Sequence, residues 1–187
     1  KEDDMDYWFN FKSNGEKRLD KENWKNNGKT YAFDGRGVMV YQWTTVGTIN
    51  SDKASDSDGK RASSSEWRYF NSPEDGARVT KGWFKVVAPD DDNDNTFMDY
   101  SVTFAEDDAN DETERWYYAD GDGKLCAGEI KSIKGKYYGF WPENGKKSGA
   151  MLNGLCVLQM DGSEIEKVIA DDIDSNDLDD ILDGKFA

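Results

Sequence analysis

The chain has 187 residues, a formal net charge of −15 and 36% hydrophobic residues, a balance close to that of chains that stay disordered for want of apolar surface. Seven Trp, nine Tyr and nine Phe supply that surface and argue for a folded chain. So acidic a surface excludes bare nucleic acid as a partner, no stretch is long and apolar enough to span a membrane, and the absence of histidine removes the commonest general base and zinc ligand.

The chain opens on Lys1-Glu2-Asp3-Asp4, as a mature or trimmed fragment would. Short aromatic packets then recur, each followed by a glycine. Trp8-Phe9-Asn10-Phe11 runs into Gly15, and Thr30-Tyr31-Ala32-Phe33-Asp34 into Gly37. Trp67-Arg68-Tyr69-Phe70-Asn71 runs into Gly76, Trp116-Tyr117-Tyr118-Ala119-Asp120 into Gly123, and Tyr137-Tyr138-Gly139-Phe140 into Gly145. In the first, second and fourth packets the first residue and the glycine are seven apart; Pro73 and Pro142 accompany the longer spacings of the third and fifth. Alternation of aromatic and polar residues is the period of a half-buried strand. Asp34-Gly35-Arg36-Gly37 and Asp120-Gly121-Asp122-Gly123 supply residues that tolerate positive φ in tight turns. A lone hairpin cannot bury its apolar face, so degenerate copies of one unit predict hairpins stacked on a shared thin core. An ordinary β-sandwich with tyrosine-rich strands is the alternative.

The repeats are placed near 7–24, 29–43, 66–83, 114–130 and 135–155, with polar insertions between them at 51–65 and 89–113. Within the second insertion, residues 97–104 alternate cleanly and predict a strand. Beyond the last packet, two apolar runs flank Asp161-Gly162-Ser163 and predict a further hairpin. The tail over 175–184 reads as a short helix, with Ser175 or Asn176 as its cap and Gly184 at its end, so the C-terminal hairpin and helix occupy 155–184. The fold class is all-β: a solenoid-like stack of hairpins with polar insertions and one short helix.

Cys126 and Cys156 are too few for a disulfide scaffold and read as two small buried thiols at equivalent repeat positions, ahead of a disulfide. Asp120, Asp122, Gly123 and Glu129 fall at positions 3, 5, 6 and 12 of an EF-hand loop, but position 1 would be Tyr118 and the flanks read as strands, so no metal site is assigned. The acidic run over 90–95 reads as a solvated loop. With many carboxylates and nothing that singles out one pair, no catalytic residue and no cofactor is assigned.

Lys29-Thr30-Tyr31-Ala32-Phe33-Asp34, Lys81-Gly82-Trp83, Arg115-Trp116-Tyr117-Tyr118-Ala119-Asp120 and Gly135-Lys136-Tyr137-Tyr138, with the glycine-bounded endings Gly123 to Gly128 and Gly149 to Gly154, together resemble the cell-wall-binding repeats of Gram-positive surface proteins, of choline-binding and glucan-binding type. The resemblance covers about two thirds of the chain. It implies a non-catalytic module of a secreted or surface protein that holds the bacterial cell wall through a choline-bearing polymer or a glycan. Such modules wall each choline site with tryptophan and tyrosine rings of consecutive repeats, one wall being the tryptophan of a Gly-Trp step. Here Gly82-Trp83 is the intact step; Trp24 and Trp43 lack the preceding glycine, and Ile130 and Leu155 stand where further tryptophans are expected.

A quaternary ammonium is drawn to ring faces by roughly 0.5–2 kcal/mol per contact, and sugars stack on the same faces. Trp83, Trp43, Trp24, Tyr69, Tyr117 and Tyr138 are the candidate walls, each weighed against a purely structural part in the core between hairpins. Two further readings of the whole chain stay open: a structural spacer or protein-interaction module whose rings are all core, and an accessory binding domain of a hydrolase lying outside this fragment.

Overall fold

The computed structural model describes residues 6–45, 67–72, 74–87, 113–143 and 147–186. Among the described residues ten strands form five two-stranded antiparallel sheets. They are β1(Lys21–Asn26) with β2(Lys29–Phe33), β3(Gln42–Thr45) with β4(Trp67–Phe70), and β5(Gly82–Val86) with β6(Arg115–Ala119). After these come β7(Ile130–Ile133) with β8(Lys136–Gly139), and β9(Leu155–Asp161) with β10(Glu164–Ile173). The helix α1(Leu178–Phe186) follows.

The tightest hairpins turn where the sequence tolerates positive φ at both central positions: Asn27 and Gly28 at 46° and 78°, and Lys134 and Gly135 at 51° and 79°, the mirror-image turn whose twist suits antiparallel strands. The turn over residues 161–164 is made as expected, with Asp161 paired to Glu164. The last four aromatic packets are the second strands of their hairpins, not whole hairpins, while the first makes the isolated bridges Phe9 to Val38 and Phe11 to Lys17. The turn after each of these strands, led by an aspartate at Asp34 and Asp120, instead returns the chain for a single bridge: Phe33 to Met39, Phe70 to Arg78, Ala119 to Leu125 and Phe140 to Met151. Asp34 accepts the N–H groups of Arg36 and Val38 at 2.9 and 2.8 Å, and Asp120 those of Asp122 and Lys124 at 2.8 and 2.9 Å. Gly123 closes such a turn at φ 77°, and a Cβ there would lie 3.0 Å from the Val79 carbonyl oxygen, so conformation and space both demand glycine.

Each bridge ends on a buried residue, with Phe33, Phe70, Ala119 and Phe140 between 0 and 3% exposed. Burying a phenylalanine contributes about 1.5–3 kcal/mol, which a two-stranded sheet alone could not gain. Side chains alternate between the two faces of a strand, and the β5–β6 hairpin is aromatic on both. Phe84 and Tyr117, paired across the strands, pack back on Trp43, with ring centroids 5.7 and 5.3 Å away. Trp83 and Tyr118, the next pair, face the following hairpin, where Tyr138 lies 4.8 Å from Trp83. A core of Trp43, Trp67, Tyr117, Leu125, Trp141, Ala150, Ile165 and Val168 thus runs from β3 to β10.

Three organisational expectations are corrected. The insertions do not separate repeats: Thr45 pairs with Trp67 and Val86 with Arg115, so both long connections leave from hairpin tips. In the helix, Asp177 is the N-cap, its carbonyl accepting the Ile181 N–H at 3.1 Å, while Asp174 holds the turn before it through the Asn176 N–H at 2.9 Å. Gly184 lies inside the helix and not at its end. The strand expected over 97–104, the acidic run over 90–95 and Gly145 lie outside the described residues.

Candidate functional site

Three tryptophans occupy one repeated place, directly across from a tyrosine: Trp24 with Tyr31, Trp43 with Tyr69, and Trp83 with Tyr118. In the fourth hairpin Lys131 stands across from Tyr138, so the register assigns the replaced tryptophan to Lys131 and not to Ile130. Their surroundings differ.

The Trp24 ring is half-buried, with Tyr31 and Phe33 at 5.8 and 5.7 Å. Its face is already engaged by the chain's own cation, the Arg18 guanidinium 5.1 Å from the ring centroid. Trp43 is buried. Its neighbours are Trp67, Tyr69, Phe84 and Tyr117, and its indole N–H donates to the Val87 carbonyl at 2.7 Å. Tyr69 stacks on Phe84 at 5.2 Å and 18°, which takes one of its faces. Tyr117 is fully buried, and burial pushes its hydroxyl pKa up. Trp43 and Tyr117, expected as ligand walls, are therefore core. Tyr117 fails on parity: it belongs to the back of its strand, and Tyr118 is the tyrosine across from Trp83.

Trp83 is half-buried, with rings on several sides. Tyr118 and Tyr138 stand edge-on at 5.1 and 4.8 Å, and Phe140 stacks at 5.7 Å and 27°. Trp116, two residues before Tyr118 and so on the same strand face, is 42% exposed. The planes of Trp83 and Trp116 meet at 86° with centroids 6.3 Å apart. A point in that corner lies within the roughly 6 Å over which a ring face attracts a cation. Below the rings sit Cys126, Ile133 and Phe140 as a buried floor. Tyr138 is half-buried and joins the corner from the next hairpin.

Of the sequence-predicted walls, Trp83 and Tyr138 come together; Trp24, Trp43, Tyr69 and Tyr117 do not join them. Trp116, Tyr118 and Phe140 were missed. The i, i+2 spacing of Trp67 and Tyr69, laid on Trp116 and Tyr118, was the signal that could have found the first two.

Both cysteines are free, Cys126 buried and Cys156 half-buried, so only the first is the buried thiol expected. Burial and then Glu129 push the Cys126 thiol up to about 12. Asp120, the would-be calcium ligand, spends one carboxylate oxygen on its own turn, and among the described residues no three Cys, Asp or Glu side chains gather as a metal site. No helix among the described residues is long and apolar enough to cross a membrane.

No protein-family model matches the chain, and no curated protein does. Among solved structures it is similar to the choline-binding domain of Spr1274 from Streptococcus pneumoniae, at 18% identity over 68% of this chain and 92% of that one, with a TM-score of 0.33. It is also similar to the modular autolysin LytC of that organism (17% identity, 86% of this chain and 31% of that one, TM-score 0.40). A third is its choline binding protein F (23% identity, 78% of this chain and 38% of that one, TM-score 0.27). The chain thus spans about a third of the autolysin's length.

Proposed function

We propose that this chain is a non-catalytic binding module of a secreted or surface bacterial protein, and that it holds the cell wall by taking a quaternary ammonium group of choline type at Trp83, Trp116, Tyr118 and Tyr138. The observation that carries the reading is the near-perpendicular pair of Trp83 and Trp116, one half-buried and one exposed, with ring centroids 6.3 Å apart. The net charge of −15 adds a long-range field that favours cationic groups.

A structural spacer is the second reading, favoured by the complete burial of Tyr117 and near-complete burial of Trp43 and Trp67. Retention on purified cell walls separates the two. The binding reading expects the full chain to be held by walls that carry choline, released by excess choline, and lost in Trp83→Ala and Trp116→Ala. A chain that passes through every wall preparation is a spacer.

A further inference from the structure

A second concavity, remote in character from the ring corner, crosses three consecutive repeats. It is a groove of about 790 Å³ lined by residues that include Lys25, Arg68, Arg78, Thr80, Lys81 and Asp122. In a chain of net charge −15, the groove carries four cationic side chains, Lys25, Arg68, Arg78 and Lys81, against two carboxylates, Glu22 and Asp122, a local excess of positive charge. Two of the cationic side chains are held close by design of the backbone. The Arg78 N–H donates to the Thr30 carbonyl at 2.8 Å, fixing that residue against the first hairpin. The Cδ atoms of Arg68 and Arg78 each come within 3.1 Å of the place a Cβ on Gly123 would take, so the glycine gives both stems room to lie side by side.

The heads are unequally satisfied. Arg68 donates from Nε to the Asp122 carbonyl at 3.1 Å and from Nη1 to the Trp67 carbonyl at 2.9 Å. Arg78 donates from Nη1 to Asn23 Oδ1 at 2.6 Å, but its Nε is buried with no acceptor. Burial lowers the pKa of both guanidiniums, and Arg68 is lowered further by the charge of Arg78. Asp120 and Asp122 act on both in the opposite sense, and Glu22 does so on Arg68. Two like charges pressed together and partly stripped of water gain more from an incoming anion than hydrated ones do.

We propose that this groove is a phosphate-binding site, with a phosphate or phosphodiester group held by the guanidiniums of Arg78 and Arg68, the ammonium of Lys81 and the Thr80 hydroxyl. Donors from several sides suit a tetrahedral oxyanion, and arginine forks match its oxygen spacing. The site does not depend on the ring corner.

The test is a ¹H–¹⁵N titration of the full chain that follows the arginine Nε–H signals at constant ionic strength. Inorganic phosphate is the first probe, dimethyl phosphate the second, and sodium chloride the control. The Arg78 and Arg68 signals are expected to shift saturably with phosphate and not with chloride. Arg78→Gln should weaken binding at least tenfold, and Trp83→Ala should leave it unchanged. Lys81→Asn is the second variant: asparagine tolerates the positive φ of 51° at that position, so it removes charge without straining the turn and should weaken binding as well. Equal response to both probes assigns the site to a diester such as a polymer linkage, and response to inorganic phosphate alone to a free phosphate. Shifts that never saturate, that chloride reproduces, or that survive both substitutions would overturn the proposal.

Discussion

Trp43 and Trp83 hold the same place in successive hairpins, yet one is sealed and the other stands open on one side. What differs is the next hairpin's reach. Beyond Trp43, the β5–β6 hairpin runs to a last pair of Val86 and Arg115, and Val86 packs against the cluster that contains Trp67, which is 2% exposed. Beyond Trp83, the β7–β8 hairpin ends sooner, on Ile133 and Lys136, and Trp116, the counterpart of Trp67, remains 42% exposed. In a stacked array the fate of a ring is thus decided by its neighbour, not by its own repeat. Trp24 makes the same point from the other side, since the preceding segment lends it Arg18.

The largest test of that contrast is truncation. Trp43→Ala should cost about 3–5 kcal/mol, as large-to-small changes in a core do, read from the denaturant midpoint. Trp83→Ala should cost less, roughly 0.5–3 kcal/mol, the range of most substitutions. Equal costs would erase the distinction between the two sites.

A chemical probe sharpens it. Cys126 lies in the floor under Trp83, and its thiol, raised to about 12 chiefly by burial, stays protonated across the neutral range. Iodoacetamide should therefore label Cys156 and spare Cys126 in the folded chain. Trp83→Ala should speed labelling of Cys126 more than its effect on global stability accounts for, while a milder change at the sealed site, Trp43→Phe, should not. Labelling of Cys126 at the rate of Cys156 in the parent chain would mean the floor is open.

The smallest expected effect is at Trp24. Arg18→Ala removes a cation–π contact of about 0.5–1 kcal/mol and should move a fluorotryptophan signal at Trp24 toward its solvent-exposed value. No movement would mean the guanidinium does not cover the ring in solution.

Much of this arrangement was legible in the sequence, and the rest was hidden for definite reasons. The hairpin around Gly162 could be read from its turn chemistry, and the second strands from their aromatic alternation. The first strands of the first two hairpins could not, because Lys21–Asn26 and Gln42–Thr45 carry few apolar residues and are recognised only by their partners. Tyr117 and Tyr118 are adjacent and chemically alike; only the register, Tyr118 across from Trp83, says which one faces the next hairpin. The exposure of Trp116 was beyond reach, since it depends on where a strand some twenty residues later stops. Lys131 escaped notice because glycine-led spacing points to Ile130, whereas pairing with Tyr138 is what defines the place.

The most direct measurement is a titration of the full chain with choline, following the indole N–H signals of the individual tryptophans by ¹H–¹⁵N correlation. The signals of Trp83 and Trp116 should shift together and saturate, that of Trp43 should stay in place, and Trp116→Ala should abolish the response at Trp83 while leaving the fold intact. Choline that moves no indole signal saturably, or that moves Trp43 as far as Trp83, would contradict a ligand site at the open corner and leave the rings as core alone.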